Sequence, residues 1–255
     1  MTEKTDKILL IAGCSHAAGA EINGSTDSVY NRCHSFGNTL ARKLGRIPIN
    51  IAQHGLSNQG IARVIMNWFH YQYNKDLQDV QVLVCWTESL RTEIPRKTSK
   101  GDDISITTRS ANWLDITGQE YINFNFGDNT GNSDEEINAK KSTEHFIVDN
   151  EIFMEINSLY MILILQQFFK ANDIKYVMCN TMHMFTSYVK QIENLLPLID
   201  QTKYREMMHD SESFYIKYKD MGYTNKKAKY WHHGKEPHRL YADELYKFIE
   251  ENKCL

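Results

Sequence analysis

The chain lacks the features that mark several large classes of protein. Its 255 residues carry a formal net charge of -3, so no overall field attracts nucleic acid or an anionic membrane. The longest apolar run, around residues 159–165, is too short to span a bilayer, and the polar N-terminal residues do not resemble a signal peptide. We therefore expect a cytoplasmic protein that binds neither nucleic acid nor membrane.

The usual signatures of metal and nucleotide sites are also missing. The five cysteines are an odd number without paired metal-ligand spacing, which fits free thiols in a reducing compartment. A histidine cluster near the C-terminus, His232, His233 and His238, does not by itself show convergent ligand spacing. The interval from Gly13 to Gly19 fits neither a dinucleotide-binding loop nor a phosphate-binding loop with its lysine. We expect no metal and no cofactor.

What the sequence does contain is a repeated strand and helix pattern. Short apolar runs typical of buried strands alternate with segments of helical periodicity, and these runs lie at 8–12, 47–52, 80–86 and 174–180. This βαβ rhythm predicts a parallel sheet covered by helices on both faces, a three-layer α/β/α sandwich that forms a single domain over residues 1–255. Residues 20–35 read as an irregular loop. Residues 87–142 are polar and read as an insertion over the sheet edge with a hairpin of its own.

Polar groups follow three of these strands at the point where each strand ends. Ser15 follows the first strand, 55–58 the second and 86–88 the third. The carboxyl ends of parallel strands meet at one sheet edge, where open α/β sheets bind their ligands. Taken alone, Ser15 is more typical of a helix N-cap. Together with backbone amides and a late histidine, it has the composition that acyl transfer needs.

Four blocks in this order resemble the SGNH (GDSL-type) hydrolase superfamily. They are GCSHAAG at 13–19, NIAQHGLSNQGIAR at 50–63, WTESLR at 86–91 and HHGKEPHRLYADEL at 232–245. The first two are similar to a branch with GCSxxxG and NxAxxGxSN blocks that is common in phage and environmental bacterial sequences. The resemblance implies a flavodoxin-like sandwich and an esterase that uses no cofactor.

Carried over by position, the resemblance assigns the nucleophile and most of the oxyanion hole. Ser15 would be the nucleophile, and the amides of Ser15 and Gly55 would hold the oxyanion. The asparagine of the family's GxN block is absent, because Trp86, Thr87 and Glu88 stand there. Asn58 is the substitute candidate, and its alternative role is to cap the helix from Gln59 onward.

The resemblance places the catalytic base at His232, with His238 as the trailing histidine of the same block. His233 takes that place if the alignment shifts by one residue. The position three residues before His232 is Lys229, where the family's D-x-x-H block has an aspartate. Either another carboxylate or a backbone carbonyl orients the base, or the protein is a weak or inactive hydrolase.

Several neighbouring residues receive supporting roles. His16 and His54 flank the predicted pocket and are candidates for substrate contact, and Glu88 and Arg91 are expected to form an ion pair beneath it. The leading hypothesis is a serine esterase that removes acetyl or another small acyl group from a small-molecule or glycan ester. The alternative is a binding or structural module on the same fold whose site has decayed.

Overall fold

The computed structural model describes residues 7–72, 79–96, 120–124, 151–182, 190–205, 207 and 210–255. Within these ranges the strands are β1 (Ile8–Gly13), β2 (Ile47–Asn50), β3 (Val80–Trp86), β4 (Thr92–Arg96), β5 (Glu120–Phe124), β6 (Lys175–Asn180) and β7 (Tyr204–Arg205). Five of them form one sheet in the order β2-β1-β3-β6-β7. All neighbours in this sheet run parallel, so their carboxyl ends lie along one edge.

Helices cover both faces of the sheet. In the described residues they are α1 (Ser15–Ala18), α2 (Val29–His34), α3 (Phe36–Lys43), α4 (Asn58–Asn67), α5 (Glu151–Ala171), α6 (Lys190–Leu195), α7 (Phe214–Asp220) and α8 (Lys235–Asn252). A π-helical turn (Trp68–Gln72) continues α4. Short 3-10 turns lie at Leu196–Leu198, Gln201–Lys203 and Asp210–Glu212.

The alternation of side chains along β1 creates two hydrophobic layers. Leu10 and Ala12 belong to a buried cluster shared with α4 and α5, whereas Leu9 and Ile11 belong to a second cluster shared with α3, α7 and α8. Successive strand residues point to opposite faces of a sheet. The predicted three-layer α/β/α sandwich is therefore confirmed.

Helix α5 is apolar on most sides, and one of its faces lies in the core. By length and composition, Ile152–Ala171 would also suit a membrane span. In this structure Leu159, Ile162, Leu165 and Phe169 are fully buried in the cluster beneath the sheet. Ile152, Phe153, Tyr160 and Ile164 are 41–48% exposed, so α5 packs on the sheet with one face and leaves apolar side chains on the other.

Three parts of the structure differ from, or add to, the sequence-based prediction. Residues 20–35 are not wholly irregular, because α2 forms there and Ser28 accepts a hydrogen bond from the Asn31 amide at its start. The two-residue strand β7 was not predicted. Strands β4 and β5 pair antiparallel, which confirms a hairpin in the polar insertion; residues 97–119 and 125–142 of that insertion lie outside the described residues.

The turn between β1 and α1 depends on a glycine at the end of β1. A β-carbon on Gly13 would lie 2.7 Å from the β-carbons of Ala17 and Cys85 and 2.8 Å from the Cys85 carbonyl oxygen. These distances are far below van der Waals contact, and two of the atoms belong to the adjacent strand. Glycine is therefore needed for β1, β3 and α1 to approach one another here.

We expect Gly13→Ala to lower the free energy of unfolding by about 1–3 kcal/mol, because the added methyl group overpacks this contact. Urea denaturation followed by circular dichroism measures the change. Gly234→Ala is the matched control. Its added methyl group would find its nearest neighbour at 3.9 Å, so this substitution should lower the free energy of unfolding by less than Gly13→Ala does. A Gly13→Ala protein within about 0.5 kcal/mol of wild type would contradict this role of Gly13.

Candidate active site

Ser15 lies on the tight turn that joins β1 to α1. Cys14 occupies the N-cap position of α1 and makes no side-chain capping bond, so the expectation that Ser15 caps the helix is wrong. Ser15 is the first helical residue, and its Oγ lies 2.8 Å from Nε2 of His232. The structure therefore brings the predicted nucleophile and the predicted base into hydrogen-bonding contact.

The other ring nitrogen of His232 contacts a carboxylate that the sequence did not reveal. Nδ1 lies 2.7 Å from Oε2 of Glu21, whose side chain is 2% exposed. The carboxylate also accepts hydrogen bonds from the amides of Lys229 at 2.7 Å and Tyr230 at 2.9 Å. Hydroxyl, imidazole and carboxylate thus form one chain of hydrogen bonds, with the geometry of a nucleophile, its base and the group that orients the base.

The backbone is left-handed on both sides of the contact between Glu21 and His232. Glu21 has φ 58°, and Trp231, directly before the histidine, has φ 66°. Each such non-glycine residue costs about 1–2 kcal/mol, and backbone strain of this kind collects at functional sites. Hydrogen bonds offset it at Glu21, where the side-chain amide of Asn225 donates to the carbonyl oxygen at 2.8 Å.

Burial and hydrogen bonding set the protonation states of the pair. Burial acts to raise the pKa of Glu21, but the hydrogen bonds from His232 and from the two amides outweigh it, and the pKa lies below its ordinary value. Burial lowers the pKa of His232, and the Glu21 contact only partly opposes this shift. At neutral pH the result is an ionised carboxylate beside a neutral imidazole, the state in which His232 accepts a proton.

The carboxylate that contacts His232 is Glu21, whereas the resemblance implied an aspartate at position 229. Lys229 stands there and contributes only its backbone amide, which donates to Glu21. The sequence contains one weak sign of this role: Glu21 is a charged residue between Ala20 and Ile22, which are both buried. The D-x-x-H pattern does not reveal Glu21, because this carboxylate lies in the loop that follows Ser15 and far from His232 in the sequence.

The two backbone amides that were predicted to hold the oxyanion are those of Ser15 and Gly55. Among the described residues, no protein acceptor is recorded for the N–H of Ser15 or of Gly55. Gly55 has φ 76°, and a β-carbon there would meet nothing within 4 Å. Glycine suits this backbone conformation, and the open space leaves room for a ligand beside the turn.

Asn58 has neither of the two roles expected for it. Ser57 caps α4 instead, by accepting a hydrogen bond from the Gly60 amide. The buried side chain of Asn58 accepts from the Thr87 amide at 2.9 Å and donates to the Thr87 carbonyl at 3.1 Å and to Ser158 Oγ at 3.0 Å. Both amide hydrogens are thus engaged, so Asn58 joins α4, β3 and α5 and is not a free oxyanion donor.

The two other histidines of the C-terminal block stabilise the fold. Nε2 of His233 lies 2.9 Å from the Tyr215 carbonyl oxygen, so the alternative alignment with His233 as the base is wrong. Nδ1 of His238 accepts a hydrogen bond from the Phe36 amide at 3.2 Å. Both side chains are buried.

The remaining candidates surround the Ser15–His232 contact. The His16 ring centroid lies 4.8 Å from that of His232, and burial holds its pKa well below the ordinary value. His54 occupies the turn before Gly55, and burial lowers its pKa as well. The predicted ion pair is present, with Arg91 Nε 2.5 Å from Glu88 Oε1.

No metal centre is apparent in the described part of the chain. Within it, no group of three or more histidine, cysteine, aspartate or glutamate side chains is arranged to hold a metal ion. All five cysteines are free. Cys14, next to the nucleophile, is buried, and its Sγ lies 3.2 Å from Thr181 Oγ1, so it shapes the turn.

Comparisons with known proteins support the fold. No protein-family model matches the chain, and no curated protein matches it in sequence. Among solved structures, it is similar to a carbohydrate esterase family 2 enzyme with a carbohydrate-binding domain from Corynascus thermopiles (Myceliophthora fergusii), with TM-score 0.50 and 10% identity over 99% of this chain and 68% of that one. A second carbohydrate esterase is described as having divergent catalytic and non-catalytic binding functions. It matches with TM-score 0.50 and 10% identity over 98% of this chain and 67% of that one. The chain therefore shares the fold of these two solved structures.

The geometry of Glu21 and His232 predicts a specific pH dependence. We expect kcat/KM for 4-nitrophenyl acetate to rise with pH through an apparent pKa below about 6.5, the ordinary histidine value, because His232 must be neutral to accept a proton. Glu21→Gln should lower the high-pH plateau by about 10²–10⁴-fold. It should also move the apparent pKa further down, because the charge that raises the pKa of His232 is removed.

Glu236→Gln is the matched control for this measurement, since Glu236 is about half exposed on α8. It should leave both plateau and apparent pKa at their wild-type values. Thermal unfolding verifies that each variant is folded. A folded Glu21→Gln protein with a wild-type plateau and profile would show that the carboxylate does not orient the base.

Proposed function

We propose that the protein is a serine esterase in which Ser15 is the nucleophile, His232 the general base and Glu21 the residue that positions the base. The observation that carries this proposal is the unbroken chain of two hydrogen bonds, 2.8 Å from Ser15 to His232 and 2.7 Å from His232 to Glu21. Serine hydroxyls are weak nucleophiles unless a base accepts their proton, and a histidine base works best when a third group fixes its ring.

The reaction would proceed through an acyl-enzyme. Ser15 Oγ bonds to the ester carbonyl carbon while His232 Nε2 takes the hydroxyl proton. The amides of Ser15 and Gly55 stabilise the resulting oxyanion. The bond to the alcohol oxygen then breaks, and His232 returns the proton to that oxygen. A water molecule, deprotonated by His232, attacks the acyl-enzyme, the acid leaves, and Ser15 regains its proton.

Small acyl esters of carbohydrates are the substrate class we favour. The structural neighbours with TM-score 0.50 are carbohydrate esterases by description. The insertion that begins after β3 is well placed in sequence to form part of the substrate pocket. Membership of the branch seen in phage and environmental bacteria, and a cytoplasmic location, belong to the same proposal.

A second candidate function is carbohydrate binding without efficient catalysis. Two observations favour it: the asparagine of the GxN block is absent, and both side-chain amide hydrogens of Asn58 are engaged within the protein. The oxyanion hole would then rest on two backbone amides. One structural neighbour is itself described as having both catalytic and non-catalytic binding functions.

Hydrolysis of 4-nitrophenyl acetate and acetate release from acetylated oligosaccharides test the proposal. We expect Ser15→Ala to lose turnover by at least about 10³-fold, because no other group replaces the nucleophile. Ser211→Ala, at an exposed position, is the control and should retain full activity. Equal rates for Ser15→Ala and wild type would refute the esterase. A wild type that binds oligosaccharides but hydrolyses no ester would favour the binding function.

A further inference from the structure

Arg91 is a buried cation at the same sheet edge as the nucleophile. It ends the turn that leads from β3 into the β4–β5 hairpin, and its amide donates to the Glu88 carbonyl within that turn. The side chain is 8% exposed, and its Nε donates to Glu88 Oε1 at 2.5 Å. The guanidinium is therefore held in place by one carboxylate.

This single contact leaves most of the guanidinium without a protein partner. A guanidinium has five N–H donors. Among the described residues, Glu88 is the one recorded acceptor for Arg91, through Nε alone. The four hydrogens on Nη1 and Nη2 have no recorded acceptor. Neither Nη1 nor Nη2 is among the fully buried atoms that lack a hydrogen-bond partner, so both reach the surface of an otherwise buried side chain and are open to an anion from outside the chain.

The position of Arg91 places those donors next to the candidate site. Strand β3 pairs with β1 so that Cys85 lies opposite Gly13, two residues before Ser15, and Arg91 follows β3 by five residues along the same edge. The positive charge of Arg91 also contributes, after burial, to the lowered pKa of His16 and of His232. Arg91 is thus close enough to act on the reacting groups.

We infer that Arg91 binds a carboxylate of the substrate, so that the protein acts on acyl esters that carry a carboxylate near the scissile bond. The planar guanidinium matches a carboxylate with two parallel hydrogen bonds. The carboxylate belongs either to the acyl group, as in a half-ester of a dicarboxylic acid, or to the alcohol part, as in an acetylated uronic acid. This inference rests on the proposed esterase function.

Exposed lysines close to His232 in the sequence favour the same kind of substrate. The segment 224–232, which leads to the base, contains three lysines and no acidic residue. Lys226 and Lys227 are exposed and form no ion pair recorded among the described residues. Lys219 lies 5.7 Å from the centre of the Tyr215 ring, which in turn neighbours His16. Positive charge around a cleft raises the local concentration of anionic substrate.

Two matched pairs of esters test the inference and distinguish the source of the carboxylate. The alcohol-side pair is the acetate ester of methyl galactoside and that of methyl galacturonoside. The acyl-side pair is the butyrate and the succinate half-ester of methyl galactoside. For wild type we expect the anionic member of at least one pair to have a kcat/KM about 10- to 100-fold above its neutral partner. The pair that shows the preference identifies the source.

Three variants assign the preference to Arg91. The double variant Glu88→Gln with Arg91→Gln removes both charges and leaves neither buried alone, and it should reduce the preference to about threefold or less. Arg91→Lys keeps the positive charge but loses the planar guanidinium, so its preference for the anionic ester should lie between that of wild type and that of the double variant. Lys247→Gln, at a side chain 77% exposed on α8, removes a distant charge and should keep the wild-type preference. Circular dichroism and thermal unfolding verify the fold.

The outcomes separate this inference from the esterase proposal. A wild type that hydrolyses neither these esters nor 4-nitrophenyl acetate refutes the esterase itself. Hydrolysis with equal kcat/KM for both members of each pair overturns only the role of Arg91. If the folded double variant loses activity equally on anionic and neutral esters, Arg91 acts on the reaction itself, and the inference of a carboxylate subsite is wrong.

Discussion

The carboxylate of Glu21 is the interaction on which the candidate site depends. It lies six residues after the nucleophile, and it accepts hydrogen bonds from His232 and from the amides of Lys229 and Tyr230, more than 200 residues further along the chain. One buried anion therefore holds the loop that contains His232 against the loop that follows Ser15. The same contact fixes the imidazole ring. One interaction therefore both holds the two loops together and orients His232.

The close packing of parallel strands makes the contact between Glu21 and His232 possible. Glycine at position 13 lets β1, β3 and α1 lie close enough for Ser15 to emerge at the sheet edge. Left-handed backbone at Glu21 and Trp231 then directs the carboxylate and the imidazole toward each other. Such strain persists only where surrounding bonds determine the conformation, and the bonds to Asn225 and to the two amides do so here.

Much of the fold follows from the sequence, and part of the site does not. The apolar runs of β1 and β3 were predicted correctly, because burial on both faces of a sheet leaves a local pattern in the sequence. Helix α2 was missed because its polar sequence depends on a cap at Ser28. Glu21 was missed, and Asn58 misassigned, because their roles depend on partners distant in sequence: His232 for Glu21, and Thr87 and Ser158 for Asn58.

Covalent labelling of the nucleophile tests the central claim most directly. The protein is treated with a fluorophosphonate, and the modified residue is located by mass spectrometry of its peptides. Ser15 activated by His232 and Glu21 should form a single adduct, and Glu21→Gln should form it more slowly, because its base is less well oriented. Failure of the folded wild type to form any adduct, or an adduct on another residue with Ser15 unmodified, would contradict an activated serine at this site.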